Sequence, residues 1–291
     1  MKIQSLSIVV PSRGCINRCQ FCVSRMNAEE YENKIEGISS FATSTTDEYS
    51  KRLAFARDNG CNTVMLTGQC EPQQNRQFLE AFAFKNALLD SPFRWIEMQT
   101  TGVGLDDEYL EFLREEVEVN TISVSISSFS AINNSAIIKT PLKQLIMLGH
   151  LCEQIKAHGF NLRLSVNLTD EFDDYITKPA AFFVECKNLG ADQVTLRMLY
   201  EDGSDSEQAR WVRDHSIDPA TKDELERFVI ETGRKLERLE FGRTKYSVLG
   251  MSTVIDDDCM SQECSDSYKY LILRPDCHLY SKWDDKGSLI F

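Results

Sequence analysis

The sequence predicts an α/β protein built on a parallel sheet with crossover helices. Short β-branched or alternating runs recur six times between Ile3 and Met198, and they alternate with longer segments whose apolar residues fall at three-and-four spacing. The 291-residue length accommodates one large domain or two small ones. A chain of that size has core enough to fold without disulfides. Periodicity alone fits an α/β barrel and a doubly wound open sheet equally well.

The first strand is Ile3 to Val10, β-branched at its end and stopped by Pro11. Ser24 to Ser44 is polar and irregular. Thr45-Thr46-Asp47-Glu48 is a capping box for a helix that runs to about Asn59 and stops at Gly60. Thr63 to Leu66 is a short apolar strand ending in Thr67-Gly68-Gln69-Cys70-Glu71-Pro72. The helix from about Asn75 to Asp90 carries Phe78, Leu79, Phe82, Ala83 and Leu89 on one stripe. Trp95 to Gln99 is strand three and Asp106 to Glu116 helix three. Thr121 to Ile126 alternates cleanly as strand four. Helix four spans Pro141 to Ala157, with the proline in its first turn. Asn161 to Leu168 is strand five, Lys178 to Asn188 helix five and Gln193 to Met198 strand six.

After strand six the alternation stops. Glu201 to Asp218 reads as a polar loop, and Pro219 through about Arg238 as a charged amphipathic helix. Lys245 to Leu249, Tyr268 to Leu273 and Cys277 to Tyr280 read as short strands. The expected division is a core over residues 1–200 and an extension over 201–291 that closes one mouth of a barrel.

Charge and cysteine usage narrow the function classes. The net charge is −13, from 45 acidic and 32 basic residues, with no Lys/Arg tract. Nucleic-acid binders present a basic footprint, so a nucleic-acid partner is disfavoured. No signal-peptide pattern and no run of 18 apolar residues is visible, so the expectation is a cytoplasmic protein outside the membrane. Ten cysteines in a long chain without an export signal point to reduced thiols and metal ligation rather than disulfides.

Gly14-Cys15-Ile16-Asn17-Arg18-Cys19-Gln20-Phe21-Cys22 holds three cysteines in a C-x₃-C-x₂-C run directly after the first strand. Soft thiolates suit iron–sulfur clusters, and three of them hold three corners of a [4Fe–4S] cube. So short a loop leaves one iron open to a ligand. A zinc site short of one ligand, or plain buried thiols, are the other readings. Zinc sites usually add further paired or nearby Cys/His ligands, and none follows Cys22 until Cys61. The C-terminal end of a strand is also where α/β barrels place their chemistry.

This run resembles the signature of the radical S-adenosylmethionine (SAM) enzymes. The resemblance implies a partial (β/α)₆ TIM-like barrel of parallel strands with a C-terminal extension. It implies a [4Fe–4S] cluster on Cys15, Cys19 and Cys22, whose unique iron chelates SAM. It further implies reductive cleavage of SAM to a 5′-deoxyadenosyl radical that abstracts hydrogen from a substrate, with an external electron donor such as flavodoxin or ferredoxin.

Phe21 matches the aromatic that the superfamily commonly places before the third cysteine, near the adenine. Thr67-Gly68-Gln69-Cys70-Glu71-Pro72 stands where many members carry a Gly-Gly-Glu-Pro-like motif. There a glycine lets the backbone approach the ligand, and a carboxylate neutralises the methionine ammonium. Gln69-Cys70 replaces the second glycine, so either Gln69 or Glu71 takes the glutamate's place. Cys70 reads as a buried thiol, with a fourth-ligand or catalytic role as the alternative.

The superfamily also uses polar strand ends to hold the ribose and the methionine carboxylate, and Ser125, Asn167 and Arg197 are the candidates here. Ser127 and Ser165 stand beside them. Glu97, Gln99 and Thr101 share one face of strand three. A buried Glu97 needs a partner, for which Arg163 and Arg197 are available; either arginine is alternatively a site for an anionic substrate. His158, at a helix end, reads as structural. Cys259, Cys264 and Cys277 invite a second-cluster reading, but Arg274-Pro275-Asp276-Cys277 also reads as a β-turn. Asp256, Asp257, Asp258, Tyr280, Lys282, Trp283 and Asp284 are candidates for the substrate mouth. No residue is assigned to a radical relay or to general acid catalysis.

The functional expectation is a radical SAM enzyme acting on a small polar or nucleotide-like molecule. The rivals are an activase or modifying enzyme acting on a glycine or side chain of a protein or peptide, and a non-enzymatic iron–sulfur electron-transfer or sensor protein.

Overall fold

The computed structural model describes residues 2–12, 14–26, 47–239, 243–256, 263–264, 267–283 and 286–291. Thr45 and Thr46 of the expected capping box, and most of the Ser24–Ser44 stretch, lie outside them. Six parallel strands form the centre of the fold: β1 (Lys2–Val10), β2 (Thr63–Gly68), β3 (Trp95–Thr100), β4 (Thr121–Ile126), β5 (Asn161–Asn167) and β6 (Gln193–Arg197). They pair in chain order, each with the next. A doubly wound sheet reverses its strand order partway. One-way winding instead curls the sheet toward a barrel, which settles the alternative that periodicity left open.

The helices following these strands are α1 (Val23–Met26) and α2 (Asp47–Asp58) after β1, α3 (Arg76–Ala87) after β2 and α4 (Asp107–Glu115) after β3. Then come α5 (Ala131–Ile138) and α6 (Leu148–Ala157) after β4, and α7 (Asp173–Ile176) and α8 (Pro179–Asn188) after β5. Two side-chain caps show why such elements start where they do. Asn75 accepts from the Phe78 N–H ahead of α3, and Asp106 accepts from the Tyr109 N–H ahead of α4.

The two-residue period of a strand splits each one between two environments. Val64, Leu66, Ile96, Met98, Ile122, Val124, Leu162, Leu164, Val166 and Leu196 are buried in one apolar core. Their neighbours Gln99, Ser123, Ser125, Arg163, Ser165, Asn167, Thr195 and Arg197 point the other way and border cavities in the lumen. Barrel interiors are ordinarily filled by bulky branched side chains. Small hydroxyls and a few long polar groups leave this one open.

The chain beyond β6 departs from several expectations. Where a polar loop is expected, α9 (Glu207–His215) forms, capped by Ser206 and burying Ala209 and Val212 on a single stripe. The amphipathic helix α10 (Pro219–Thr232) is six residues shorter at its end than the pattern suggests. It stops at Gly233, where a Cβ would lie 2.4 Å from the Val229 carbonyl oxygen. The chain then turns into β7 (Arg234–Arg238), β8 (Thr244–Val248) and β9 (Met251–Asp256). β10 (Glu263–Cys264), β11 (Ser267–Leu273) and β12 (Leu279–Tyr280) follow.

The expected helix four is realised only from Leu148, as α6, and α5 ahead of it was not expected. α5 ends at Lys139 in the left-handed region (φ 49°), Pro141 stays extended, and α6 begins only at Leu148. Thr140, preceding a proline, is disfavoured in helical conformation, which separates the two.

The C-terminal strands join both ends of the central sheet. β11 pairs parallel with β1, and β9 pairs parallel with β6. Across the seam between these flanks, Lys269 Nζ of β11 lies 3.1 Å from Asp256 Oδ1 of β9. Among the described residues no helix is long and apolar enough to cross a membrane.

Candidate functional site

The cysteine loop leaves β1 and is pinned on three sides. Ile16 N–H donates to Gln74 Oε1 at 3.1 Å, Gln74 Nε2 donates to the Gly14 carbonyl at 3.0 Å, and Asn75 Nδ2 donates to the Pro11 carbonyl at 2.7 Å. On the other flank, Arg18 N–H and Gln20 N–H donate to the carbonyls of Ile138 and Ile137 at the end of α5. The third anchor is Asn17, buried between two thiols in sequence. Its Nδ2 donates to Glu71 Oε1 at 3.0 Å and to Thr101 Oγ1 at 2.9 Å.

Glu71 is the hub of this arrangement. Oε1 accepts from Asn17 and from Thr101 Oγ1 (2.7 Å). Oε2 accepts from Thr100 Oγ1 (2.5 Å), the Thr101 N–H (3.0 Å) and Gln73 Nε2 (3.1 Å). A carboxylate offers about four lone-pair sites, so five neutral donors use its capacity in holding the loop against the end of β3. Gln69 borders the cavity and, among the described residues, has no hydrogen-bond partner. Gly68 is needed for space: a Cβ there would lie 2.9 Å from the Cys70 carbonyl oxygen and 3.1 Å from that of Val10.

Cys15, Cys19, Cys22, Gly68, Gln69, Glu71, Ser125, Asn167 and Arg197 all border one cavity of about 200 Å³, together with Cys70, Ser123 and Ser165. Desolvation pushes the Cys19 thiol well above its ordinary range, and the neighbouring Cys22, Glu71 and Cys15 push it further. Withdrawal from water also raises Cys15 and Cys22. Burial raises Cys70 to about 12, against a lowering hydrogen bond from Ser12. Ligand binding to such thiols releases protons, so a metal centre here displaces them on loading.

No three Cys, His, Asp or Glu side chains among the described residues converge on a single-ion site. A cubane cluster takes its three thiolates on three different irons, so soft donors spread along one loop suit it. Two buried polar atoms of the same cavity, Arg197 Nε and Ser123 Oγ, have no hydrogen-bond partner. Orphaned groups of this kind call for a polar ligand or water. Asn167 is oriented for such a ligand, its Nδ2 donating to Ser125 Oγ at 3.1 Å and Ser127 Oγ at 3.2 Å.

A second cavity of about 420 Å³ adjoins the first, and Ser24, Thr67, Gly68, Gln99 and Arg197 border both. Arg163, which borders the larger cavity, is ion-paired with the 4%-exposed Glu97 and also donates to Gln193 Oε1. Arg163 rather than Arg197 is therefore the partner that Glu97 requires. Of the residues read as candidates for a substrate mouth, Asp256 and Trp283 border the larger cavity. Tyr280 turns away to Asp276 (2.7 Å), Lys282 is exposed, and Asp257, Asp258 and Asp284 lie outside the described residues.

Phe21 is not among the cavity-bordering residues. Its ring packs 6.0 Å from Trp211 of α9, where α1 and α9 meet. Cys277 takes φ 64° in a turn closed by its N–H to the Arg274 carbonyl, the position read as a turn residue. Cys259 lies outside the described residues, as does the side chain of Cys264. His158 caps α6 and meets Asp107 at 3.0 Å, in keeping with a structural role. Asn17, Thr100, Thr101 and Gln73 were not singled out as loop anchors by sequence. The one available signal was the placement of Thr101 on the face shared by Glu97 and Gln99.

The sequence model of the radical SAM superfamily matches residues 9–175. No curated protein sequence matches the chain. Among solved structures, Streptococcus suis SuiB bound to S-adenosylmethionine superposes with a TM-score of 0.63 at 13% identity, over 96% of this chain and 60% of that one. A second SuiB structure gives 0.59 at 12% identity with the same coverage. This chain therefore spans 60% of the SuiB length, and the likeness at such identity is one of fold.

Proposed function

The chain belongs to the radical SAM superfamily and is an enzyme of it, and from that premise we propose that the smaller cavity holds a [4Fe–4S] cluster together with SAM. Cys15, Cys19 and Cys22 hold the cluster. Gln69, Ser125, Asn167 and Arg197 bind SAM, Gly68 lets it approach the backbone, and Arg197 takes its carboxylate. Glu71 acts through Asn17 and Thr101 as a positioning residue for the cysteine loop. Phe21, packed on Trp211, braces the same loop from outside rather than stacking on the adenine.

When bound, the cluster supplies the electron for reductive cleavage of SAM and so the 5′-deoxyadenosyl radical that takes hydrogen from the substrate. The protein supplies orientation and exclusion of water. The larger cavity, which shares Arg197 and Gln99 with the first, receives a small polar or nucleotide-like substrate. Its volume lies within the range of about 300–1,000 Å³ typical of small-molecule sites, which favours that reading over modification of a protein or peptide. Residues 1–200 serve as the catalytic core, and residues 201–291 complete the lumen wall. An external donor such as flavodoxin or ferredoxin delivers the electron, in a reducing cytoplasmic setting.

One observation carries this reading: three thiols and an unsatisfied guanidinium border one cavity that opens into a larger one. Anaerobically reconstituted protein given dithionite and SAM is expected to form 5′-deoxyadenosine, and Cys19→Ala to abolish it. A fully iron-loaded wild-type protein that forms none would refute the proposal.

A further inference from the structure

Cys70 differs in its surroundings from the other thiols outside the cysteine loop. Cys61, Cys152, Cys186 and Cys277 pack in the apolar core, where a thiol serves as a small hydrophobic group. Cys70 is equally withdrawn from water at 9% exposure, yet it belongs to neither apolar cluster of the described residues. It borders the smaller cavity together with Cys15, Cys19 and Cys22. The groups acting on its sulfur are the Ser12 hydroxyl and the charges of Cys15, Glu71 and Cys22.

The backbone fixes Cys70 from both sides. Before it, Gly68 passes so close to the carbonyls of Cys70 and Val10 that no side chain fits there. After it, the carboxylate of Glu71 is fastened by Asn17, Gln73, Thr100 and Thr101. A thiol held in this way faces the cysteine loop before any ligand arrives. The same cavity carries a second mark of an unfilled ligand position. Ser123, only 1% exposed, borders it with an Oγ that has no hydrogen-bond partner, and such orphans call for a polar ligand or water.

The inference rests on the radical SAM reading, in which three loop thiolates leave one iron open. Thiolate is the soft ligand that iron–sulfur centres take in preference to oxygen donors. We propose that Cys70 is the fourth ligand of the cluster while SAM is absent, and that SAM displaces it. To bind, the Cys70 thiol gives its proton to solvent and its sulfur forms one bond to the open iron. When SAM enters, that bond breaks, the thiolate regains a proton, and the amino and carboxylate groups of SAM take its place. No electron moves in either direction. The open iron is thereby covered until its cofactor arrives, and SAM binding carries the cost of displacing a thiolate.

The test compares anaerobically reconstituted wild-type protein with Cys70→Ala and with Cys70→Ser, which keeps the size of the side chain. Mössbauer spectra of the oxidised cluster report the ligands of each iron. Without SAM, the wild-type irons are expected to share all-sulfur ligation and Cys70→Ala to show one distinct iron; with SAM, both should show it. Calorimetric titration should find SAM bound threefold or more tighter by each variant than by the wild type. Iron release to EDTA should be at least fivefold faster from the variants without SAM, and equal to wild type with it. A distinct iron already present in SAM-free wild type, SAM affinity unchanged or weakened in both variants, or faster iron release with SAM bound would overturn the proposal. Wild-type protein that takes up no cluster, or whose cluster leaves SAM unbound, would count instead against the cofactor reading.

Discussion

The two faces of the same six strands, apolar toward the helices and polar toward the lumen, are built for different tasks. Toward the helices, Leu162, Leu164 and Val166 of β5 are all fully buried in the apolar core. Toward the lumen, Arg163, Ser165 and Asn167 of that strand border open cavities. Each fully buried aliphatic side chain contributes roughly 1.5–3 kcal/mol, so the outer face carries the stability. The inner face is left free for chemistry, and a polar lumen is sustained because the fold does not depend on filling it.

The largest expected effect breaks this contrast on one strand. Leu164→Ala should cost about 2–5 kcal/mol, whereas Ser165→Ala, one residue on, should stay within about 1 kcal/mol while weakening SAM binding. Urea unfolding beside SAM titration checks both. Equal destabilisation by the two would erase the distinction between the faces.

Charge pairs are where the lumen does contribute to folding. Arg163→Met leaves Glu97 buried without its partner, a loss of about 3 kcal/mol, at the low end of the range for buried pairs because the arginine is partly exposed. Combining it with Glu97→Leu should recover much of that loss in thermal unfolding. Next in size is Glu71→Gln, for which loss of matched acceptors for Asn17 and Thr101 predicts about 1–3 kcal/mol. Reduced iron uptake should accompany it, and Asn17→Ala should move both readouts the same way.

The smallest effect concerns the thiols on the helix side. Burial raises Cys61 and Cys152 from the ordinary 9.0 to about 12. Between these values the folded chain keeps the proton while the unfolded chain releases it. Their contribution is therefore intact below about pH 9 and declines as pH rises toward 12. Urea midpoints at pH 8 and 10.5 should show the fall, and Cys152→Ala should make it shallower, with Cys61 retaining its share.

Much of this contrast was legible in the sequence, because a strand's two-residue period is written locally. Ile122-Ser123-Val124-Ser125-Ile126 announces both its faces, and the boundaries of all six central strands lie within two residues of those expected. The cysteine run was legible by its spacing after the first strand, and the strand-end polar residues by their position together with the family resemblance. Other features depended on partners distant in sequence. β9 is a strand because β6 lies beside it, and Glu71 is spent on Asn17 and Thr101 because folding brings three loops together. α5, with two asparagines and a serine among its eight residues, lacks the apolar stripe that betrays a helix. It is fastened instead by Asn134, which accepts from the Ser127 N–H at 2.8 Å.

The central claim is that the polar face of this sheet carries an iron–sulfur centre on its first loop. Iron and acid-labile sulfide bound per chain after anaerobic reconstitution test it most directly, in the wild-type protein and in one combining Cys15→Ala, Cys19→Ala and Cys22→Ala. About four of each are expected on the wild-type chain and none on the variant, with the two proteins unfolding at similar temperatures before reconstitution. Zinc taken up in place of iron, or four irons retained without the three thiols, would contradict it.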